Sequence, residues 1–354
     1  MRVLLIKTSS MGDVIHTLPA VTDARQAIPG IEFDWVVEEG FAEIPAWHPA
    51  IAEVIPVAIR RWRKHPIKAA LSGEWRRFKE RIAATRYDAI IDAQGLLKSA
   101  WLTRYAEGPV IGLDRDSARE PIASRFYDVQ CDVPWGEHAV ERVRVLFARA
   151  LGYPLPPGIG DYGIDRRLLA PEPADQAFVL FLHGTTWASK HWPELYWRQL
   201  AERAVSAGMN VRLPWGTPAE KARAERVANG LTGVEVLPRL SLAGMARILA
   251  SSSACVAVDT GLGHLAAALS VPTLSLFGPT NPELTGAYGL SQQHLASDYP
   301  ACTPCLQKTC TYQPTPDEAR QFDLKREQPF CFTRLSPDRV FAELQTLLLD
   351  KRAS

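Results

Sequence analysis

The chain has 354 residues, long for one ordinary core and comfortable for two domains of roughly 150 residues each. Its 47% hydrophobic and 22% charged residues are those of a globular protein, and a formal net charge of +1 gives the whole molecule no reason to bind nucleic acid, so electrostatic recognition has to be local. The longest mostly apolar stretch, residues 266–277, contains Pro272 and falls short of the roughly 20 residues that cross a bilayer, and the opening Val3-Leu4-Leu5-Ile6 is too short for a signal peptide, so a cytoplasmic chain without a transmembrane helix is expected.

Short β-rich runs at residues 3–6, 33–37, 54–57, 89–92 and 110–113 read as buried parallel strands. Helical patterns at 13–27, 67–84 and 96–106 lie between them, and this alternation predicts a doubly wound α/β sheet. The first turn, IKTSSMGDVIHTLPA at 6–20, places Asp13 at the start of a helix just beyond a strand. Two readings stand: an acid favoured by the helix dipole, or a carboxylate aimed at a ligand for which the soft loop 8–12 leaves room. Next comes Arg60-Arg61-Trp62-Arg63-Lys64-His65, read as a loop at a strand's carboxyl end. From Arg60 to Arg81 there are nine basic and two acidic residues, which is either a solvated face or a capture site for an anionic acceptor.

Gly152-Tyr-Pro-Leu-Pro-Pro-Gly-Ile-Gly160, with Pro171 and Pro173, has the composition of a linker. The expected division is 1–165, 166–335 and a C-terminal helix over 336–354. The second series of strands is 178–182, 211–213, 234–237, 255–258 and 273–277, and Trp197, Leu200, Ala201, Ala204 and Val205 line one face of a helix within it. Two tandem Rossmann-like domains imply a cleft at the carboxyl ends of their sheets.

HGTTWASKHWPE at 183–194 brings Thr185, Thr186 and Lys190 to a strand end, a set suited to a pyrophosphate; VDTGLGHLAAAL at 258–269 has the strand, glycine turn and helix start of an anion site. Gly261-x-Gly263-x-x-Ala266 also matches a dinucleotide fingerprint, although no acid ends the next strand. Taken singly, Asp259 is equally a turn acid and His264 a satisfied core histidine. Of six cysteines, Cys302, Cys305, Cys310 and Cys331 crowd the C-terminal part; their spacing allows a structural metal or reduced thiols, and the irregular final interval and Pro, Thr and Gln content weigh against the metal.

Together with LPWGTPAE at 213–220, these motifs in this order resemble the ADP-heptose-dependent lipopolysaccharide heptosyltransferases of glycosyltransferase family 9, and among them those that add the first inner-core heptose. The resemblance spans nearly the whole chain. It implies a GT-B fold, two Rossmann-like domains facing a cleft, with the acceptor mainly on the first and the nucleotide sugar on the second, and an inverting transfer without metal or other cofactor. It implies that Asp13 is the general base, that Lys190 binds phosphate with Thr185 and Thr186 beside it, and that Glu220 holds the ribose. Asp259, Thr260, Gly261 and His264 would grip the heptose and its phosphate, and Arg60, Arg61, Arg63, Lys64 and Arg119 the acidic acceptor. The implied donor is ADP-L-glycero-β-D-manno-heptose and the implied acceptor Kdo2-lipid A, at the cytoplasmic face of the inner membrane. A transferase for the second heptose or another sugar would share the motifs, and a nucleotide-sugar oxidoreductase or epimerase could use the same paired sheets; a non-catalytic lipid A-binding module would leave Lys190 and Asp259 idle.

Overall fold

The computed structural model describes residues 1–170, 176–321 and 329–353; Pro171 and Pro173 of the expected linker lie outside the described residues. The chain forms two compact units, Met1–Ile164 and Asp165–Ser354.

The first unit is built on a six-stranded parallel sheet of β1 (Arg2–Ile6), β2 (Glu32–Glu38), β3 (Ile51–Val57), β4 (Ala89–Asp92), β5 (Val110–Leu113) and β6 (Val129–Cys131), in the order β3-β2-β1-β4-β5-β6. Val3 to Ile6 and Ile90 to Ile91 are fully buried, which is why β1 and β4 read as unbroken apolar runs. The winding reverses between β1 and β4, and the carboxyl ends of those two strands are where such sheets bind ligands.

Two expected helices are each broken in two. The 13–27 pattern divides into Met11–Ile15 and Leu18–Ala27, because Pro19 lacks an N–H and fits only the first turn of a new helix. The 67–84 pattern divides into Pro66–Leu71 and Glu74–Ala83 around Gly73, whose φ of 67° is left-handed. Arg60, Arg61, Arg63 and Lys64 also differ from expectation: they sit on a short helix, Ile59–Lys64, directly after β3 rather than in a loop.

The Pro- and Gly-rich segment 152–160 is not a free linker. Arg144, on the helix Ala139–Leu151 and 1% exposed, pairs with Asp23 at 2.7 Å and donates to the carbonyls of Gly158 and Pro156 at 2.7 and 3.0 Å. A buried guanidinium needs this many partners, and backbone carbonyls of a segment without regular structure are free to supply them.

The second unit repeats the plan with β7 (Phe178–Leu182), β8 (Asn210–Leu213), β9 (Val234–Val236), β10 (Ala254–Val258), β11 (Thr273–Phe277) and β12 (Gln292–Ala296), in the order β12-β11-β10-β7-β8-β9. Its reversal falls between β7 and β10. The final helix, Pro337–Ala353, packs Val340, Leu344 and Leu347 into the same core as Phe181, Trp197 and Leu276, each such side chain contributing about 1.5–3 kcal/mol. It is therefore an integral part of this unit.

Candidate active site

In the first unit, β1 ends in Lys7 and the chain turns through Thr8 and Ser9 into the helix that carries Asp13. One oxygen of Asp13 accepts from both the amide and the hydroxyl of Ser10, each at 2.7 Å. Burial pushes the Asp13 carboxyl upward, but the opposing effects of Lys7, the two Ser10 donors and Arg119 prevail and leave it below its ordinary value. Asp13 is thus a partly exposed carboxylate, held at a fixed angle and ionised across the neutral range.

Lys7 is 8% exposed and donates to the Ala93 carbonyl at 2.7 Å; burial holds its ammonium below the usual lysine range. Gln94, just after β4, fixes the same turn from the other side: its Oε1 accepts from the Thr8 amide at 2.7 Å and hydroxyl at 2.8 Å, and its Nε2 donates to the Ser9 carbonyl at 2.7 Å. Lys98 donates from Nζ to Ser9 Oγ at 3.1 Å. Much of its side chain is exposed, but the ammonium end is partly shielded, and that desolvation, then the charge of Arg60, lowers its pKa. Sequence reasoning missed Lys7, Gln94 and Lys98. Only an apolar strand interrupted by Lys7 hinted at the first.

The basic cluster is uneven. Arg61 is committed to Glu39, at 3.0 and 2.9 Å, and to Glu74 at 2.9 Å, which largely neutralises it. Arg60 lies over the Phe41 ring at 5.5 Å, and Arg63 and Lys64 are exposed. Arg119 is exposed too, yet near enough for its charge to reach Asp13.

In the second unit the corresponding strand ends carry Lys190 and Asp259. Lys190 sits in a single helical turn, Ala188–Lys190, after β7; its Nζ stands 2.5 Å from Asp259 Oδ2 and 4.4 Å from the centre of the Trp187 ring. Asp259 follows β10. Thr280, which sequence reasoning missed, donates to Asp259 Oδ2 at 2.7 Å; Thr185 donates to the Asp259 carbonyl at 3.0 Å; and His264 Nε2 lies 3.9 Å from Oδ1. Thr260 caps the helix Gly261–Ala268, whose Gly263 and His264 amides return to the Thr260 carbonyl. The amides of Gly261 and Leu262 have no partner within the helix, as at any helix start, and suit an anion. Thr186 is exposed.

Glu220 accepts from the Gly216 and Thr217 amides at 2.8 and 3.0 Å as part of a capping box on the helix Pro218–Ala228. Its carboxylate borders Gly184, just past β7, where a Cβ would come within 2.7 Å of Glu220 Oε1. The turn bearing Lys190 is tied down by the cysteine-containing stretch: Ser189 donates from its hydroxyl to Gln307 at 2.5 Å and from its amide to Lys308 at 3.1 Å, and Leu306 donates to Pro279 at 2.9 Å. Cys302, Cys305, Cys310 and Cys331 are free thiols, and among the described residues no three His, Cys, Asp or Glu side chains are grouped to hold a metal ion.

Residues 75–315 match the family model of glycosyltransferase family 9 (heptosyltransferase). The chain belongs to this family. It is a glycosyltransferase, and a heptosyltransferase within that class. It is 69% identical over 350 residues, 99% of its length and 98% of the relative's, to lipopolysaccharide heptosyltransferase 1 of Pseudomonas aeruginosa, and 55% identical over 294 residues, 82% and 92% of the two chains, to lipopolysaccharide heptosyltransferase 1 of Escherichia coli K12. Among solved structures it resembles E. coli heptosyltransferase WaaC with ADP at a TM-score of 0.80 and 55% identity, covering 83% of this chain and 92% of the other. The same enzyme with ADP-2-deoxy-2-fluoro heptose aligns at a TM-score of 0.78 and 53% identity, covering 84% and 93%. Both heptosyltransferase units are therefore of the Rossmann-like GT-B type, and membership of a transferase family sets aside the oxidoreductase, epimerase and binding-module readings.

Proposed function

We propose that the chain transfers L-glycero-D-manno-heptose from ADP-heptose to a Kdo residue of Kdo2-lipid A, the first heptose of the lipopolysaccharide inner core. The observation that carries the chemistry is Asp13, an ionised carboxylate fixed by Ser10 at the strand ends of the first unit. An acceptor hydroxyl attacking the anomeric carbon has to lose a proton, and Asp13 is the group to take it. A base of lowered pKa accepts that proton late, once the new C–O bond has made the hydroxyl acidic. Configuration inverts in the single displacement, and the bond to the ADP oxygen breaks as the new one forms.

The departing diphosphate gathers negative charge. Lys190 and the amides opening the helix Gly261–Ala268 are the groups to receive it, an electrostatic contribution of several kcal/mol, or roughly 2.7–4 kcal/mol for a single well-placed donor. Asp259, steadied by Thr280, fits the heptose hydroxyls as an acceptor, with His264 beside it, and Glu220 fits the ribose. Arg60, Arg63, Lys64 and Arg119 suit the acceptor's phosphates and carboxylates; Arg61 serves that face by holding Glu39 and Glu74 in place. No helix among the described residues is long and apolar enough to cross a membrane, and an acceptor embedded in lipid favours peripheral attachment at the cytoplasmic face of the inner membrane through this basic helix.

The deciding experiment incubates the protein with ADP-heptose and Kdo2-lipid A. The expected result is a product heavier by one heptose, with one ADP released per transfer. Transfer only to an acceptor that already carries a heptose would replace this reading with addition of the second.

A further inference from the structure

Arg223 lies just beyond the LPWGTPAE motif, one helical turn past Glu220 on the helix Pro218–Ala228, and is only partly exposed. Its guanidinium touches two turns of the donor side. Nη1 stands 3.3 Å from the His183 carbonyl, just past β7, and 2.8 Å from Nδ1 of His191, the residue after Lys190. A guanidinium only donates, so Nδ1 is the acceptor and the His191 ring is neutral. Burial and then the charge of Arg223 hold that ring below its ordinary pKa, against the His183 carbonyl and Glu220.

Glu194 and Glu220 face this cation, but neither closes on it. Glu194 is held by Arg226 at 2.7 and 2.8 Å, and Glu220 by the amides of Gly216 and Thr217. A half-buried cation without a carboxylate of its own is costly unless the fold uses its donors. The surrounding geometry supplies that use. Glu220 packs against Gly184, where no Cβ fits, and Arg223 binds the carbonyl of the residue before it, so two side chains one turn apart fix the helix on the strand end. The third contact, to His191, reaches the turn that carries Lys190.

We propose that Arg223 is a positioning residue for the nucleotide-sugar donor: it ties the helix of Glu220 to the turn of Lys190, so that the ribose and diphosphate contacts stand at one fixed spacing before the donor arrives. The proposal rests on the donor roles given above to Glu220 and Lys190. A ligand that spans both contacts gains from their being preset, whereas a ligand that reaches only one of them does not.

The test measures the affinity of the full chain for ADP, adenosine and inorganic pyrophosphate by competition calorimetry. Arg223→Met should weaken ADP by about tenfold, the lower end for a hydrogen bond to a charged group, and should change adenosine and pyrophosphate by less than about twofold. The donor KM should rise while the acceptor KM holds. His191→Phe, which keeps a ring and removes the acceptor nitrogen, should weaken ADP in the same selective way, and the double variant should be no weaker than Arg223→Met alone. Additive losses overturn the tie. Equal losses for ADP and for either fragment also overturn it, in favour of direct contact with that fragment or a general loosening. Should Arg223→Met fail to fold, His191→Phe carries the same comparison of ADP with its fragments. Two controls separate the proposal from the reading beneath it: Glu220→Gln should weaken adenosine alone, and Lys190→Ala pyrophosphate alone. If they do not, the donor assignment fails, and the non-additivity of Arg223 and His191 in ADP affinity still decides the tie.

Discussion

Ser10 places its amide and its hydroxyl on a single oxygen of Asp13, which leaves the carboxylate oriented but weakly basic. Asp13→Asn preserves the accepting oxygen, so the fold should persist while turnover falls by roughly 10²–10⁴, measured as released ADP. Near-normal turnover would remove Asp13 from its role. Lys7 sets the pH dependence: its positive charge is the largest of the effects opposing burial, so Lys7→Met should raise the pKa of Asp13 and move the acid limb of kcat to higher pH. A limb that stays put would separate Lys7 from the base. The basic helix divides at this scale too. Replacing Arg60, Arg63 and Lys64 together by Ala should raise the acceptor KM and flatten its dependence on salt, whereas Arg61→Ala, acting through Glu39 and Glu74, should change the salt slope little. The sequence motif displayed Asp13, Lys190 and Asp259, and it contains Lys7 without marking its role, but Gln94, Lys98 and Thr280 come from other turns, and only folded strand ends bring them near.

At the scale of elements, the strands buried on both faces were legible because apolar residues dominate them, with isolated buried exceptions such as Asp34 in β2 and Ser275 in β11. Of the four edge strands, β3 and β9 were read at 54–57 and 234–237, but the other two were not: Val129–Cys131 has three residues with only Cys131 buried, and Gln292–Ala296 buries only Leu295. Helix breaks at Pro19 and Gly73 were visible in the residues but overridden by the apolar periodicity. The turn Ala188–Lys190, which carries the proposed phosphate-binding lysine, has little packing of its own beyond Ser189. Ser189→Ala should loosen it and weaken ADP by about 3–10-fold in calorimetry, the equivalent of one net hydrogen bond, without altering the acceptor KM. Lys190→Ala should weaken ADP more, because it also removes the charge. An unchanged ADP affinity in Ser189→Ala would mean that the stretch at 306–308 merely covers the turn.

For the whole molecule, the same strand order occurs twice, and each copy puts its candidate site side chains at its own reversal point, Asp13 after β1 and Lys190 and Asp259 after β7 and β10. Each unit also buries a histidine. Burial lowers His48 to about 4 in the first and His183 to about 4 in the second. Both are neutral in the fold, whereas the unfolded chain protonates them below about 6.5, so the unfolded state binds more protons between those values. Their stabilising effect is complete above about pH 6.5 and should fall as pH drops toward 4, by at most about 1.4 kcal/mol per histidine per pH unit, read from urea midpoints. His48→Gln should reduce that slope; an identical slope would assign the acid sensitivity elsewhere.

The buried Arg144 also marks where this protein can be recombined. Because its guanidinium fastens Pro156 and Gly158 to the first unit, the stretch that looks like a hinge belongs to one parent's half, and the natural crossover point lies later, between Ile164 and Asp165. Hybrids with a family relative joined there should be expressed as folded protein. Hybrids joined between Gly152 and Gly160 would confront Arg144 with a foreign backbone and should be recovered largely insoluble.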